Sequence, residues 1–329
     1  MSIERISKLL QAVFDRIDRL SQQLQRRKGL RLAFNLGMIG IVLAVVADYL
    51  VTQWPTIQNL GLSLDPVPLL YSLGLYGINY LLFVLAWSLL INVFSGAYSL
   101  QENALIYSYS QIARLLPTPA WFIAGRVVMY NKQGTSRRSV LIATGLETAF
   151  HAWIGFAILC VLSIQVDQPV TWLYGLGVGA TFVILKVFIS IKSSQIQLPD
   201  ALRLKNALVL FFIFILIWVT SVPFLAWIIQ GVAGQAPVPA LEIWRMWIIS
   251  SIFSYIGAYT LGGLGVVREF SLVFLLGPYF SPPVCLLIAV LSRLIFMVGN
   301  LLWPGLLIGL IKARQALGQT GKKGLDRPD

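Results

Sequence analysis

Charged side chains are scarce in this 329-residue chain, making up 12% of it, against roughly 25% in soluble globular domains. That scarcity excludes an ordinary soluble enzyme. The chain has two cysteines and one histidine. Cys160 and Cys285 both lie inside apolar runs and read as small buried hydrophobes, with neither metal-ligand spacing nor a disulfide framework. No P-loop or other nucleotide motif is present, so no cofactor is expected. The first apolar run starts near Leu30, too far in for a cleavable signal peptide, and more apolar runs follow it rather than a mature domain.

What the chain has in abundance is apolar length: 57% of residues are hydrophobic and the mean hydropathy is +0.79. A membrane span needs about 20 mostly apolar residues. Six runs qualify: Leu30–Trp54, Pro68–Phe94, Ser139–Val166, Val170–Ile191, Ala207–Gln230 and Val284–Ile311. Two further runs are interrupted. Tyr98–Tyr130 is broken at Pro117 and Pro119, and Leu241–Gly277 is broken at Gly262, Gly263 and Gly265. Proline removes a helix donor and glycine favours breaks. Each broken run therefore reads as a re-entrant helical hairpin, which enters the membrane and returns to the same side.

The formal net charge of +12 invites a nucleic-acid reading, but its placement points to topology instead, and no nucleic-acid partner is expected. With the N-terminus in the cytoplasm, nineteen of the 25 Lys and Arg fall in residues 1–31, 132–138, 192–205 and 312–329, all on one side. The loops 55–67, 167–169, 231–240 and 278–283 contain none. This positive-inside bias requires the broken runs to be hairpins, with both termini cytoplasmic in a bacterial plasma membrane. The expected fold is an all-α polytopic membrane protein with six spans and two oppositely oriented hairpins. The order span, span, hairpin, span occurs twice, so the halves 30–166 and 170–312 form an inverted repeat. Transporters built this way bind substrate where broken helices meet. Residues 29–312 make the membrane domain, and 313–329 a disordered cytoplasmic tail.

In residues 1–28, Ile3, Ile6, Leu10, Val13, Ile17, Leu20 and Leu24 recur at steps of three and four, the pattern of a helix with one apolar stripe. It fits an amphipathic helix on the cytoplasmic leaflet, or a short coiled coil joining two protomers in a homodimer.

The remaining basic residues, Arg114, Arg126, Lys186, Arg245, Arg268 and Arg293, fall at membrane depth. An ionised group there costs several kcal/mol and normally faces a wet cavity or a partner. Lys186 can snorkel, and Asp48 lies near the end of its span. Arg245 follows Glu242 by three residues, a local pair. Arg114 and Arg126 flank the proline break, while Arg268 and Glu269 follow the glycine break. Glu147 and His151 are four apart on one helix face, and both could carry protons. The arginines suit a phosphate, whose oxygens the guanidinium fork can bond two at a time. Internal pairing, Arg126 with Glu147 and Glu269 with Arg293, accounts for the same residues without a ligand.

The run YSYSQIARLLP from Tyr107 to Pro117, followed by Gly125-Arg126, Gly134 and Glu147, resembles the first conserved block of the flippase-like membrane domain family, which includes the transmembrane region of lysylphosphatidylglycerol synthases. Gly262-Gly263-Leu264-Gly265, with Arg268-Glu269 and then Arg293, is similar to its second block. Leu261 stands where that pattern has proline, and Pro117-Thr118-Pro119 where it has Pro-Gly. The resemblance implies a protein that moves lipids or lipid-linked headgroups between leaflets. The soluble aminoacyl-transfer domain of the synthases has no counterpart here, so synthase activity is not expected.

The leading expectation is a lipid translocase, not an enzyme, with Arg114, Arg126, Arg268 and Arg293 contacting an anionic headgroup and Glu147, His151 and Glu269 coupling protons or pairing. A membrane-embedded enzyme acting on a lipid phosphate, or a scaffold in which every buried charge is paired, are the alternatives.

Overall fold

The computed structural model describes residues 64–95, 98–115, 120–163, 200–234, 238–260 and 267–325. Among the described residues there are eight helices and no strand: α1 (Pro66–Ser95), α2 (Leu100–Ala113), α3 (Ala120–Asn131), α4 (Arg137–Ser163), α5 (Asp200–Ala233), α6 (Ala240–Thr260), α7 (Val267–Leu276) and α8 (Pro282–Leu325). Four segments are long and apolar enough to cross a membrane: α1, α4, Lys205–Ala233 of α5 and Pro282–Leu317 of α8. The protein is therefore an all-helical integral membrane protein. These four contain or closely match the spans expected at Pro68–Phe94, Ser139–Val166, Ala207–Gln230 and Val284–Ile311. The spans Leu30–Trp54 and Val170–Ile191, the helix in residues 1–28, Asp48 and Lys186 lie outside the described residues, as do the hairpin breaks Pro117, Pro119, Gly262, Gly263 and Gly265.

Local chemistry sets the helix ends. Pro66 opens α1, where its missing N–H costs nothing, and Val67 N donates to Asp65 Oδ1 at 2.9 Å. Ser99 caps α2 through a reciprocal capping box with Glu102. Gly134 (φ 90°) and Gly234 (φ 72°) take the left-handed conformation just past α3 and α5, which lets each chain turn satisfy the last carbonyls. Each interrupted run resolves into two helices on either side of its break. At 21 residues α6 is the longest of these four helices. The tail differs from expectation: α8 continues through Leu325, so residues 313–325, expected to be disordered, extend the last helix. Helix-forming Lys312, Arg314, Gln315 and Ala316 outweigh the glycines beyond them.

The two long helices α1 and α5 run antiparallel, as the pairs Tyr71–Trp227, Tyr76–Phe224 and Phe83–Phe214 show. The sets α1–α4 and α5–α8 have the same internal packing. Exchanging α1 with α5, α2 with α6, α3 with α7 and α4 with α8 turns every packed pair of helices into another packed pair. Matched details accompany the exchange. A Cβ on Gly155 of α4 would meet Trp218 of α5 at 2.3 Å, and one on Gly299 of α8 would meet Tyr76 of α1 at 2.4 Å. In both cases glycine is what permits the helix to approach the aromatic ring.

Candidate functional site

Two arginine clusters lie within this packing, one in each set of four helices. In the first, α3 carries Arg126, whose side chain is 0% exposed. It forms a two-pronged ion pair with Glu147 of α4, with Nη2 to Oε1 at 3.5 Å and Nη1 to Oε2 closer still. Arg126 Nε donates to Ser110 Oγ of α2 at 3.3 Å. Three rings enclose the guanidinium: Trp87 at 3.7 Å, Phe122 at 4.0 Å and Tyr107 at 4.7 Å. With the fork on a carboxylate and ring faces around it, the charge is compensated without water. Phe122 also takes Arg114, at 4.5 Å, which caps α2 and is exposed.

His151 follows Glu147 by one turn, and both are buried. The imidazole lies among Trp218 (4.6 Å), Phe83 (5.0 Å) and Phe214 (6.0 Å, stacked). Its backbone carbonyl accepts from Trp218 Nε1 at 2.9 Å. That setting makes His151 part of the α4–α5 packing.

In the second cluster, α7 supplies both Arg268 and Glu269. Arg268 Nη2 donates to Glu269 Oε1 at 2.8 Å, and Arg293 Nη1 of α8 lies 3.9 Å from the same oxygen. Phe296 and Trp247 cover the Arg268 guanidinium at 3.9 and 5.4 Å. The side chains of Arg268 and Glu269 are 8% and 13% exposed, and that of Arg293 is 38% exposed. Among the described residues, Arg268 Nε and Glu269 Oε2 are buried with no hydrogen-bond partner. A buried polar atom left unpaired costs about 1–3 kcal/mol, so this cluster has unmet capacity to bond a ligand. Two guanidiniums share one carboxylate, which leaves a net charge of +1.

Sequence spacing suggested most of these neighbours. The structure brings Arg126 to Glu147 and gathers Arg268, Glu269 and Arg293. Arg245 donates to Glu242 at 2.5 Å and also to the Leu162 carbonyl at 2.6 Å, tying α6 to the end of α4. The structure adds residues that the spacing did not single out: Trp87, Tyr107, Phe122, Trp247 and Phe296 around the arginines, and Ser110 against Arg126. Tyr107 and Ser110 lie within the run Tyr107–Pro117 that carries the first resemblance, whereas Trp87, Phe122, Trp247 and Phe296 had no signal beyond an aromatic inside an apolar run, too common there to stand out. Among the described residues, no group of three His, Cys, Asp or Glu side chains could hold a metal ion. Comparison with family models, curated proteins and solved structures finds no match.

Proposed function

We propose that this chain is a lipid translocase that carries an anionic or phosphate-bearing headgroup between the leaflets of a bacterial plasma membrane. The observation that carries the reading is the second cluster. A buried arginine with an unpartnered Nε stands beside a half-exposed Arg293, at the depth of membrane-crossing helices. A phosphate oxygen would meet both guanidiniums and supply the negative charge that Glu269 alone does not. The reading includes six spans, two oppositely directed re-entrant hairpins (Tyr98–Tyr130 and Leu241–Gly277), an inverted repeat and cytoplasmic termini. The exchangeable packing of the helices and their antiparallel central pair support that plan, as does the placement of Lys and Arg. Arg114, exposed beside Phe122, is the candidate for first contact on the other hairpin, and Glu269 and Glu147 remain candidates for proton coupling.

A scaffold is the second reading. The complete enclosure of Arg126 favours it for the first cluster, where each guanidinium nitrogen already has a hydrogen-bond partner. Native mass spectrometry of gently extracted protein separates the two. The translocase reading expects an anionic phospholipid retained by the wild type and lost in Arg268→Ala and Arg293→Ala, with a matching fall in headgroup transport by proteoliposomes. Equal retention and transport in all three proteins would leave the scaffold.

A further inference from the structure

We infer that α7 is the movable arm of this protein, and that α2 and α3 form a fixed counterpart. The exchangeable packing sets the two halves in register. Tyr107 and Trp247 both cover the arginine of their half, and three residues later Ser110 and Ser250 each donate to the carbonyl of that aromatic residue, at 2.7 and 3.0 Å. Arg126 and Arg268 fix the register of the second arms.

Two positions in that register differ in kind. Four residues before Tyr107 is Asn103, and four after Arg126 is Tyr130. Tyr130 donates to Asn103 Oδ1 at 2.7 Å and accepts from Trp87 Nε1 of α1 at 2.8 Å. Asn103 Nδ2 in turn donates to Ser88 Oγ and Asn92 Oδ1 of α1, at 2.9 and 3.2 Å. This latch is buried and binds α2 and α3 to α1. Four residues before Trp247 is Ile243, and four after Arg268 is Leu272, both buried. The second half thus has two aliphatic side chains where the first has hydrogen bonds, and aliphatic contacts can slide because they lack direction.

The arginines differ in the same sense. Arg126 Nε is bonded to Ser110, whereas Arg268 Nε has no partner among the described residues and Ser250 bonds only its own helix. Arg126 is paired to the neighbouring helix through Glu147, but Arg268 is paired within α7, whose ionic link to α8 is the 3.9 Å contact from Arg293. On the outer face of α7, Phe270 and Phe274 are 72% and 83% exposed. The register supplies a second seat: α7 displaced so that Arg268 Nε reaches Ser250 Oγ, as Arg126 reaches Ser110. Moving between these seats loosens the 3.9 Å contact of Arg293 with Glu269 and slides the Arg268 guanidinium against Phe296 and Trp247.

Hydrogen–deuterium exchange of the full chain in lipid nanodiscs tests this. Peptides covering 267–276 are expected to exchange about tenfold or more faster than peptides covering 120–131, since local opening follows the bonds that must break. Tyr130→Phe, which removes the hydroxyl that closes the latch, is expected to raise exchange in 120–131 about tenfold and leave 267–276 unchanged. Equal protection of the two segments in the wild type would overturn the inference. So would a Tyr130→Phe protein, folded as judged by unchanged exchange in α1 and α5, in which 120–131 keeps its protection.

Discussion

The two arginine clusters occupy corresponding places and solve the same electrostatic problem in different ways. In the first, Arg126 is paired across helices and enclosed by three rings. In the second, Arg268 is paired to its own neighbour in sequence and keeps an unpartnered nitrogen. A buried ion pair contributes little net stability, yet losing one partner is expensive because the other is left as an uncompensated charge. The first cluster therefore acts as a fastening, while the second is held less completely.

Substitutions should pull these roles apart. Glu147→Ala strands Arg126 inside its cage and is expected to lower stability by about 3–5 kcal/mol, read from denaturant unfolding in detergent. Glu269→Ala should cost about 1–2 kcal/mol, because half-exposed Arg293 can rearrange and water can reach the cluster. Equal losses would erase the distinction.

The glycine contacts test the correspondence itself. Gly155→Ala and Gly299→Ala each force a Cβ into an aromatic ring, and overpacking of this kind costs about 1–3 kcal/mol. Matched losses in the same unfolding assay are expected, and a large loss at one site alone would break the equivalence. Trp87→Phe keeps the ring over Arg126 but removes the donor to Tyr130, with an expected loss of about 1 kcal/mol and faster exchange confined to α2 and α3.

An effect that shrinks as pH falls is expected at the start of α2. Ser99 hydrogen bonds hold the exposed Glu102 carboxyl below its usual range. A carboxyl whose folded pKa is lowered stabilises the fold above its unfolded pKa, about 4.3, and that contribution is lost as pH falls through the folded value. Ser99→Ala should cost about 1 kcal/mol near neutral pH, and less below pH 4 as Glu102 protonates. Melting curves across that range check the sign.

Hydropathy made the four described crossing helices legible, because a span must be apolar along its whole length. Sequence spacing anticipated Arg126 with Glu147, Glu242 with Arg245 and Glu269 with Arg293, since an ion in an apolar run needs a counter-ion within reach. The cage and the latch were hidden for a complementary reason. Trp87, Asn103 and Tyr130 come from three separate helices, and in a chain apolar on all sides no period marks which face of a helix meets its neighbour. The difference between Asn103–Tyr130 and Ile243–Leu272 acquired meaning only once the halves could be set in register.

The unequal charge of the clusters also bears on how the protein responds to voltage. The buried part of the first cluster, Arg126 with Glu147, sums to zero, whereas Arg268, Glu269 and Arg293 sum to +1. A unit charge carried through the full potential changes in energy by about 2.3 kcal/mol per 100 mV, and one carried through part of it changes in proportion. Arg293 stands on α8, so displacement of α7 carries Arg268 and Glu269, which sum to zero, and would move charge across the potential only with a bound anion.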